Sequence, residues 1–285
     1  MYQEFFGFKE KPFNVTPDPR FIYFSDQHIE ALNHVLYGIR ERKGFIAIIG
    51  EVGAGKTTLC RTLLSRLDNQ TTKTAYIFNP DLSGQQLIRT ILEDLGLDAT
   101  GRTKKDLLDT LNAFLMEQLA QNHNVVVIID EAQGLGKREL EEVRLLSNLE
   151  TETDKLLQIV LVGQPELAAI LDDPEIRQLK QRIAVRYHLD PLHKSEVRKY
   201  IDHRMSVAGC MEPPHFTEGA LEVISKFSKG VPRMINLACD RTLLNAFVWE
   251  TREISEAIAQ RAVDEIEGKK FPSLLGMEKL TLEHY

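Results

Sequence analysis

The nine residues Gly50-Glu51-Val52-Gly53-Ala54-Gly55-Lys56-Thr57-Thr58 match the spacing G-x-x-x-x-G-K-[ST] in full. The chemistry this allows is a grip on a chain of phosphates. Glycines let successive backbone N–H groups turn inward onto phosphate oxygens. Lys56 supplies a point charge for the β and γ phosphates, and the Thr57 hydroxyl can ligate a magnesium ion. A helix beginning at this point adds the positive end of its dipole. A nucleoside triphosphate with Mg2+ is therefore the expected ligand. A glycine-rich turn that binds nothing is the bland alternative, and the residues downstream argue against it.

The run Val125-Val126-Val127-Ile128-Ile129 ends in two adjacent carboxylates, Asp130 and Glu131. Beside a phosphate loop, Asp130 can hold the water shell of the magnesium and Glu131 can polarise an attacking water. Alternatively the pair merely caps the following helix. Gln164 follows another aliphatic run, Gln158 to Gly163, and could orient the catalytic water or sense the γ phosphate, or could simply turn the chain. Arg177, Lys180, Arg182 and Arg186 crowd one stretch. They are either plain surface charge or the source of an arginine delivered to a neighbouring subunit's nucleotide. Arg233, in Gly230-Val231-Pro232-Arg233, could reach the phosphates from a helical lid.

The flanking pattern must position these groups. Phe45 to Ile49 reads as a buried strand, and Leu59, Leu63 and Leu67 recur at i+4, so the glycine loop joins strand to helix. Ser25 predicts the start of a helix running to about Arg42 that contains His28, a residue either near a base or packed at an edge. Thr74 to Asn79 reads as a strand, Ser83 caps a helix that stops at Gly96, and Thr103 to Gln121 is a long helix. Ala184 to Leu189 is a short strand. After Pro191 the pattern becomes helical without strands: 194–208, 217–229, 231–249 and 255–267. Phe5 to Tyr23 is dense in aromatics and proline, which predicts an extended arm on the domain surface rather than a regular helix. The arm either closes over the base or simply packs. The resulting division is an arm over 1–24, an α/β nucleotide-binding domain over 25–190, a helical lid over 191–267 and a tail over 268–285.

At 285 residues with 43% hydrophobic content the chain can bury a sizeable core. A net charge of −7 excludes a uniformly basic nucleic-acid coat, leaving only a local basic patch such as Arg102, Lys104 and Lys105. Three widely spaced cysteines, Cys60, Cys210 and Cys239, have neither metal-ligand spacing nor an even count for a disulfide framework. No apolar stretch reaches the roughly 20 residues of a membrane span, and the first residues lack a secretory signal pattern. The expectation is a cytoplasmic protein, at most peripheral at the inner membrane.

Taken together the motifs resemble the AAA+ ATPases and, among them, the ExeA/GspA-like group of bacterial secretion and pilus-biogenesis ATPases. The resemblance is carried by Phe5-Phe6-Gly7-Phe8, Pro12-Phe13, Thr16-Pro17-Asp18-Pro19, Gly50 to Thr58, Asp130-Glu131-Ala132-Gln133, Gly163 to Leu167, Leu179 to Ile183 and Gly230 to Arg233. It implies a P-loop α/β fold of three layers with a parallel sheet in the order 5-1-4-3-2. It implies a nucleotide site between subunits of a ring or filament, with Asp130-Glu131 as the Walker B pair. Gln164 then stands as sensor 1, Arg182 as the arginine finger and Arg233 as sensor 2. Members of the group commonly continue into a membrane span and a peptidoglycan-binding domain, for which this chain is too short. That favours shorter relatives in pilus assembly or polysaccharide export, or a truncated form. The expected function is Mg-dependent ATP hydrolysis that drives assembly of an envelope secretion, pilus or export system together with an envelope-assembly partner. The alternative is an ATP-switched DNA-binding regulator similar to transposition target-selection ATPases.

Overall fold

A computed structural model of the protein describes residues 2–269 except 17, 79 and 153. The tail expectation for 270–285, and Asn79 at the end of its expected strand, lie outside the described residues. The strands β1 (Phe45–Gly50), β2 (Thr72–Phe78), β3 (Asn124–Asp130), β4 (Gln158–Gly163) and β5 (Ile183–Leu189) form one parallel sheet. Its order is β2-β3-β4-β1-β5, the expected 5-1-4-3-2 read from the other edge. The continuous aliphatic runs follow from burial on both faces. Phe45, Ala47, Val127, Ile129 and Leu161 point into one core layer, and Ile46, Ile48, Ile128 and Val160 into the other.

Helix α1 (Tyr2–Phe6) opens the chain. Helices α2 (Asp26–Arg40) and α3 (Lys56–Arg66) cover the second face through Ala31, Val35, Ile39, Leu59 and Leu63. Helices α4 (Gly84–Asp94), α5 (Lys104–Ala120), α6 (Lys137–Leu146) and α7 (Pro165–Leu171) cover the first, followed by the short α8 (Arg177–Lys180). Local chemistry sets the starts. The Ser25 hydroxyl accepts from the His28 N–H, and Thr103 and Asp106 cap each other reciprocally. Because the strands are parallel, Gly50, Asp130 and Gly163 end at one edge of the sheet, where open α/β sheets place their ligands.

The helical C-terminal region, expected as a lid, contains α9 (Lys194–Val207), α10 (Glu218–Ser228), α11 (Pro232–Val248) and α12 (Glu256–Ile266). It is not strandless as expected. Strand β6 (His215–Phe216) pairs in parallel with β7 (Glu253–Ile254), each too short to show a period of two in sequence.

The arm also differs from the expectation. Its first residues form a regular helix, because Tyr2 to Phe6 precede the first proline. Tyr2, Phe6, Phe8, Phe13 and Phe21 are buried in one core with Ile201, Met205, Ile235 and Leu243 of the lid. Polar ties reinforce this: Tyr2 donates to Asp240, Arg252 to the carbonyl of Phe5 at 3.0 Å, and Lys9 N–H to the carbonyl of Ala208 at 2.9 Å. Arm and lid therefore share one hydrophobic interior.

Candidate functional site

The phosphate loop bridges β1 and α3, and Gly53 and Gly55 take the left-handed φ values +80° and +100° that L side chains resist. At Gly53 the lid sets a second constraint. A Cβ there would lie 2.4 Å from Cβ of Arg233, and the Arg233 N–H donates to the Gly53 carbonyl at 3.3 Å. The residue expected to reach the phosphates from the lid thus sits directly on the loop. Lys56, 5% exposed, donates from Nζ to the carbonyls of Gly50 at 2.7 Å and Glu51 at 2.9 Å. Burial pulls its pKa below the ordinary lysine range, while Glu131, Asp130 and Glu51 oppose that shift. Phosphate oxygens could take over the two carbonyls' role as acceptors.

At the end of β3, Asp130 is fully buried. Its Oδ2 accepts from Thr57 Oγ1 at 2.9 Å and from Tyr76 Oη at 2.7 Å, and its Oδ1 accepts from the Glu131 N–H at 2.9 Å. Tyr76 was not among the expected site residues. It stands opposite Ile128 on the neighbouring strand, so its phenol reaches the next residue on that face, Asp130. Only strand pairing could reveal it. Burial, and then the bond to Asp130, push the Tyr76 pKa up, keeping the phenol a donor.

Glu131 turns the chain sharply at φ 55°. Its Oε2 accepts from Gln164 Nε2 at 2.8 Å and from Gln133 Nε2 at 2.5 Å. The structure thus brings Lys56, Thr57, Asp130, Glu131, Gln164 and Arg233 to one end of the sheet, with the remaining loop residues Gly50 to Thr58.

Beside the loop lies a cavity of about 300 Å³, lined by Val52 to Thr58, Glu131 and Arg233 and also by Ile22, Tyr23, His28, Tyr200 and Arg204. His28 is buried and lines this cavity. Its Nε2 donates to the Ala54 carbonyl at 3.2 Å, since a carbonyl can only accept, and its Nδ1 takes the Ser25 hydroxyl at 2.6 Å. Burial pushes its pKa down, in keeping with a neutral ring.

Arg182 is not brought to this site. It precedes Ile183, which pairs with Phe45 at the far end of β1 from Gly50. Five residues at about 3.3 Å each put roughly 16 Å of strand between them. Its guanidinium instead donates to Ser147 Oγ. Of its basic neighbours, Arg186 makes a two-pronged pair with Asp172 at 2.9 and 3.1 Å, and Lys180 meets the same carboxylate at 2.8 Å. In the basic cluster considered for nucleic acid, Lys104 is held by Glu142 at 2.6 Å and Arg102 lies 3.8 Å from Asp98.

The donor set fits magnesium. Thr57 Oγ1 and the Asp130 carboxylate are hard oxygens side by side, 2.9 Å apart at Oδ2. Magnesium is ordinarily held by one or two protein oxygens with water and phosphate completing the shell, not by a protein cage.

This is the fold of the P-loop AAA+ ATPases. Residues 39–171 match the family model described as an AAA domain. The chain is similar to General secretion pathway protein A of Aeromonas hydrophila, to which it is 44% identical over 269 residues and 94% of its length. It spans about half of that relative, 49%. Among solved structures, the ORC2 protein of Aeropyrum pernix, in ADPNP–ADP complexes, superposes with a TM-score of 0.63 at 21% identity, covering 84% of this chain and 67% of that one. Cdc6p of Pyrobaculum aerophilum superposes at 0.65 with 17% identity, covering 97% and 72%. At these identities the likeness is one of fold. No helix among the described residues is long and apolar enough to cross a membrane.

Proposed function

We propose that the protein binds ATP with Mg2+ in this cavity and hydrolyses it, and that it works as an oligomer in assembling an envelope secretion, pilus or polysaccharide-export apparatus with a partner of that apparatus. The observation that carries hydrolysis is the convergence of Lys56, Thr57, Asp130, Glu131 and Gln164 at one sheet edge. In this reading the loop N–H groups, Lys56 and Arg233 bind the phosphates, and Thr57 and Asp130 hold the magnesium. The ion, when bound, supplies charge neutralisation at the β and γ oxygens. Glu131 accepts the proton of the attacking water, and Gln164 orients that water or the γ phosphate. The secretion role is supported by the likeness to General secretion pathway protein A. We place the protein in the cytoplasm, at most peripheral at the inner membrane.

Arg182, remote from its own loop, acts in trans on this proposal. A finger of this kind is worth about 10³–10⁵ in rate, so a monomer hydrolyses slowly. The test is turnover against protein concentration for wild type, Glu131→Gln and Arg182→Ala, and for mixtures of Arg182→Ala with Lys56→Ala. We expect specific activity to rise with concentration, both single variants to be inactive and the mixture to recover part of the rate. Full turnover in Glu131→Gln removes the base. Flat activity with no recovery in the mixture removes the shared site.

A further inference from the structure

We infer that Gln133 is a positioning residue that locks the Glu131 carboxylate to the Gln164 backbone, so that the base and the neighbouring amide move as one unit. The inference rests on the hydrolytic reading above. Gln133 uses both ends of its side chain. Nε2 donates to Glu131 Oε2 at 2.5 Å, and Oε1 accepts the Gln164 N–H at 3.0 Å. Gln164 Nε2 closes the ring on the same Oε2 at 2.8 Å. The cycle joins the end of β3 to the end of β4. It leaves Glu131 Oε1 as the carboxylate oxygen with no donor among the described residues.

The backbone accommodates this amide. A Cβ on Gly163 would come within 2.8 Å of Gln133 Oε1 and 2.7 Å of Leu167 Cδ2, so a residue with a side chain would displace it. A lone carboxylate on a tight turn has rotamer freedom. Two amide donors on one oxygen remove that freedom and fix the direction in which the other oxygen can take a proton. The acceptor end of Gln133 does a separate job, holding the Gln164 backbone and hence the direction of its side chain.

Two substitutions divide these jobs. Gln133→Leu removes both. Gln133→Glu keeps an acceptor for the Gln164 N–H but sets a second carboxylate against Glu131. Turnover and the affinity ratio of mant-ATPγS to mant-ADP are measured for each in the full chain, beside Glu131→Gln and with melting temperatures. In Gln133→Leu we expect kcat to fall about 10²-fold, the scale of a misplaced catalytic group, with KM little changed and the affinity ratio reduced about tenfold. In Gln133→Glu we expect the same loss in kcat with the ratio kept. Wild-type kcat and ratio in Gln133→Leu overturn the inference, and so does an equal loss of ratio in both variants. If Gln133→Leu does not fold, Gln133→Glu decides: wild-type kcat there overturns it. If Glu131→Gln keeps full turnover, the hydrolytic assignment fails instead, and the affinity ratio still decides whether Gln133 positions Gln164.

Discussion

Arg204 is buried and carries the join between arm and lid. Its guanidinium donates from Nε to the Pro12 carbonyl at 2.6 Å, from Nη2 to the Asn14 carbonyl at 3.0 Å and from Nη1 to Tyr200 Oη at 3.1 Å. It also lies 4.8 Å from the centre of the Phe21 ring. Replacing it with methionine keeps the stem and removes the fork. Pro12 is buried, so its carbonyl loses a donor at about 1–3 kcal/mol. The cation–ring contact is worth about 0.5–2 kcal/mol. Asn14 is exposed, and water can replace its bond. Relief of the buried charge offsets part of this loss, leaving about 3 kcal/mol. At about 2–4 °C per kcal/mol for a domain of this size, Arg204→Met should melt about 6–12 °C lower. Because Arg204 borders the cavity, the variant should also lose nucleotide affinity, and residues 8–23 should become open to proteolysis. Thermal melts, limited digestion and titration with mant-ATP check this. A melt within about 2 °C of wild type, with the arm still protected, refutes the claim that this guanidinium anchors the arm.

Other expectations follow from the same geometry. Gly53→Ala puts a Cβ 2.4 Å from that of Arg233 at a φ of +80°, so the lid must shift, and mant-ATP affinity should fall at least about tenfold, the equivalent of about 1.4 kcal/mol. Unchanged affinity would contradict the contact. Tyr76→Phe deletes one donor to the buried Asp130 Oδ2 and should cost about 1–3 kcal/mol of stability and raise the Mg2+ concentration needed for half-maximal turnover; an unchanged magnesium requirement would free Tyr76 of that role. His28 has a folded-state pKa below its unfolded value near 6.5 because it is buried. The unfolded chain therefore takes up the proton first as pH falls. This stability contribution is complete above about pH 6.5 and lost as pH drops below it. Melting temperature should thus fall more steeply from pH 7 to 5.5 in wild type than in His28→Gln, and equal slopes would remove His28 as the cause.

Several features of this protein are legible in its local sequence because short-range physics encodes them. The glycines and Lys56-Thr57 specify a phosphate cradle because their conformations and donors are needed at set spacing. The doubly buried strands are legible in Val125 to Ile129 and Gln158 to Gly163 because burial on both faces suppresses alternation. The cap at Ser25 depends on a residue three positions on, His28. Asp130 and Glu131 were visible as a carboxylate pair closing a buried strand. The tertiary structure alone decided what depends on pairing across the sheet or across the whole chain. The arm joins the lid's interior through contacts between residues nearly 200 positions apart, such as Arg204 with Pro12, and no local pattern encodes the partner of an aromatic run. Tyr76 meets Asp130 only because β2 lies beside β3 in that register. Gln133 closes its ring with Gln164 only where β3 and β4 end side by side. Arg182 is distant from its own loop because β5 runs parallel to β1 and places it at the opposite end of the sheet.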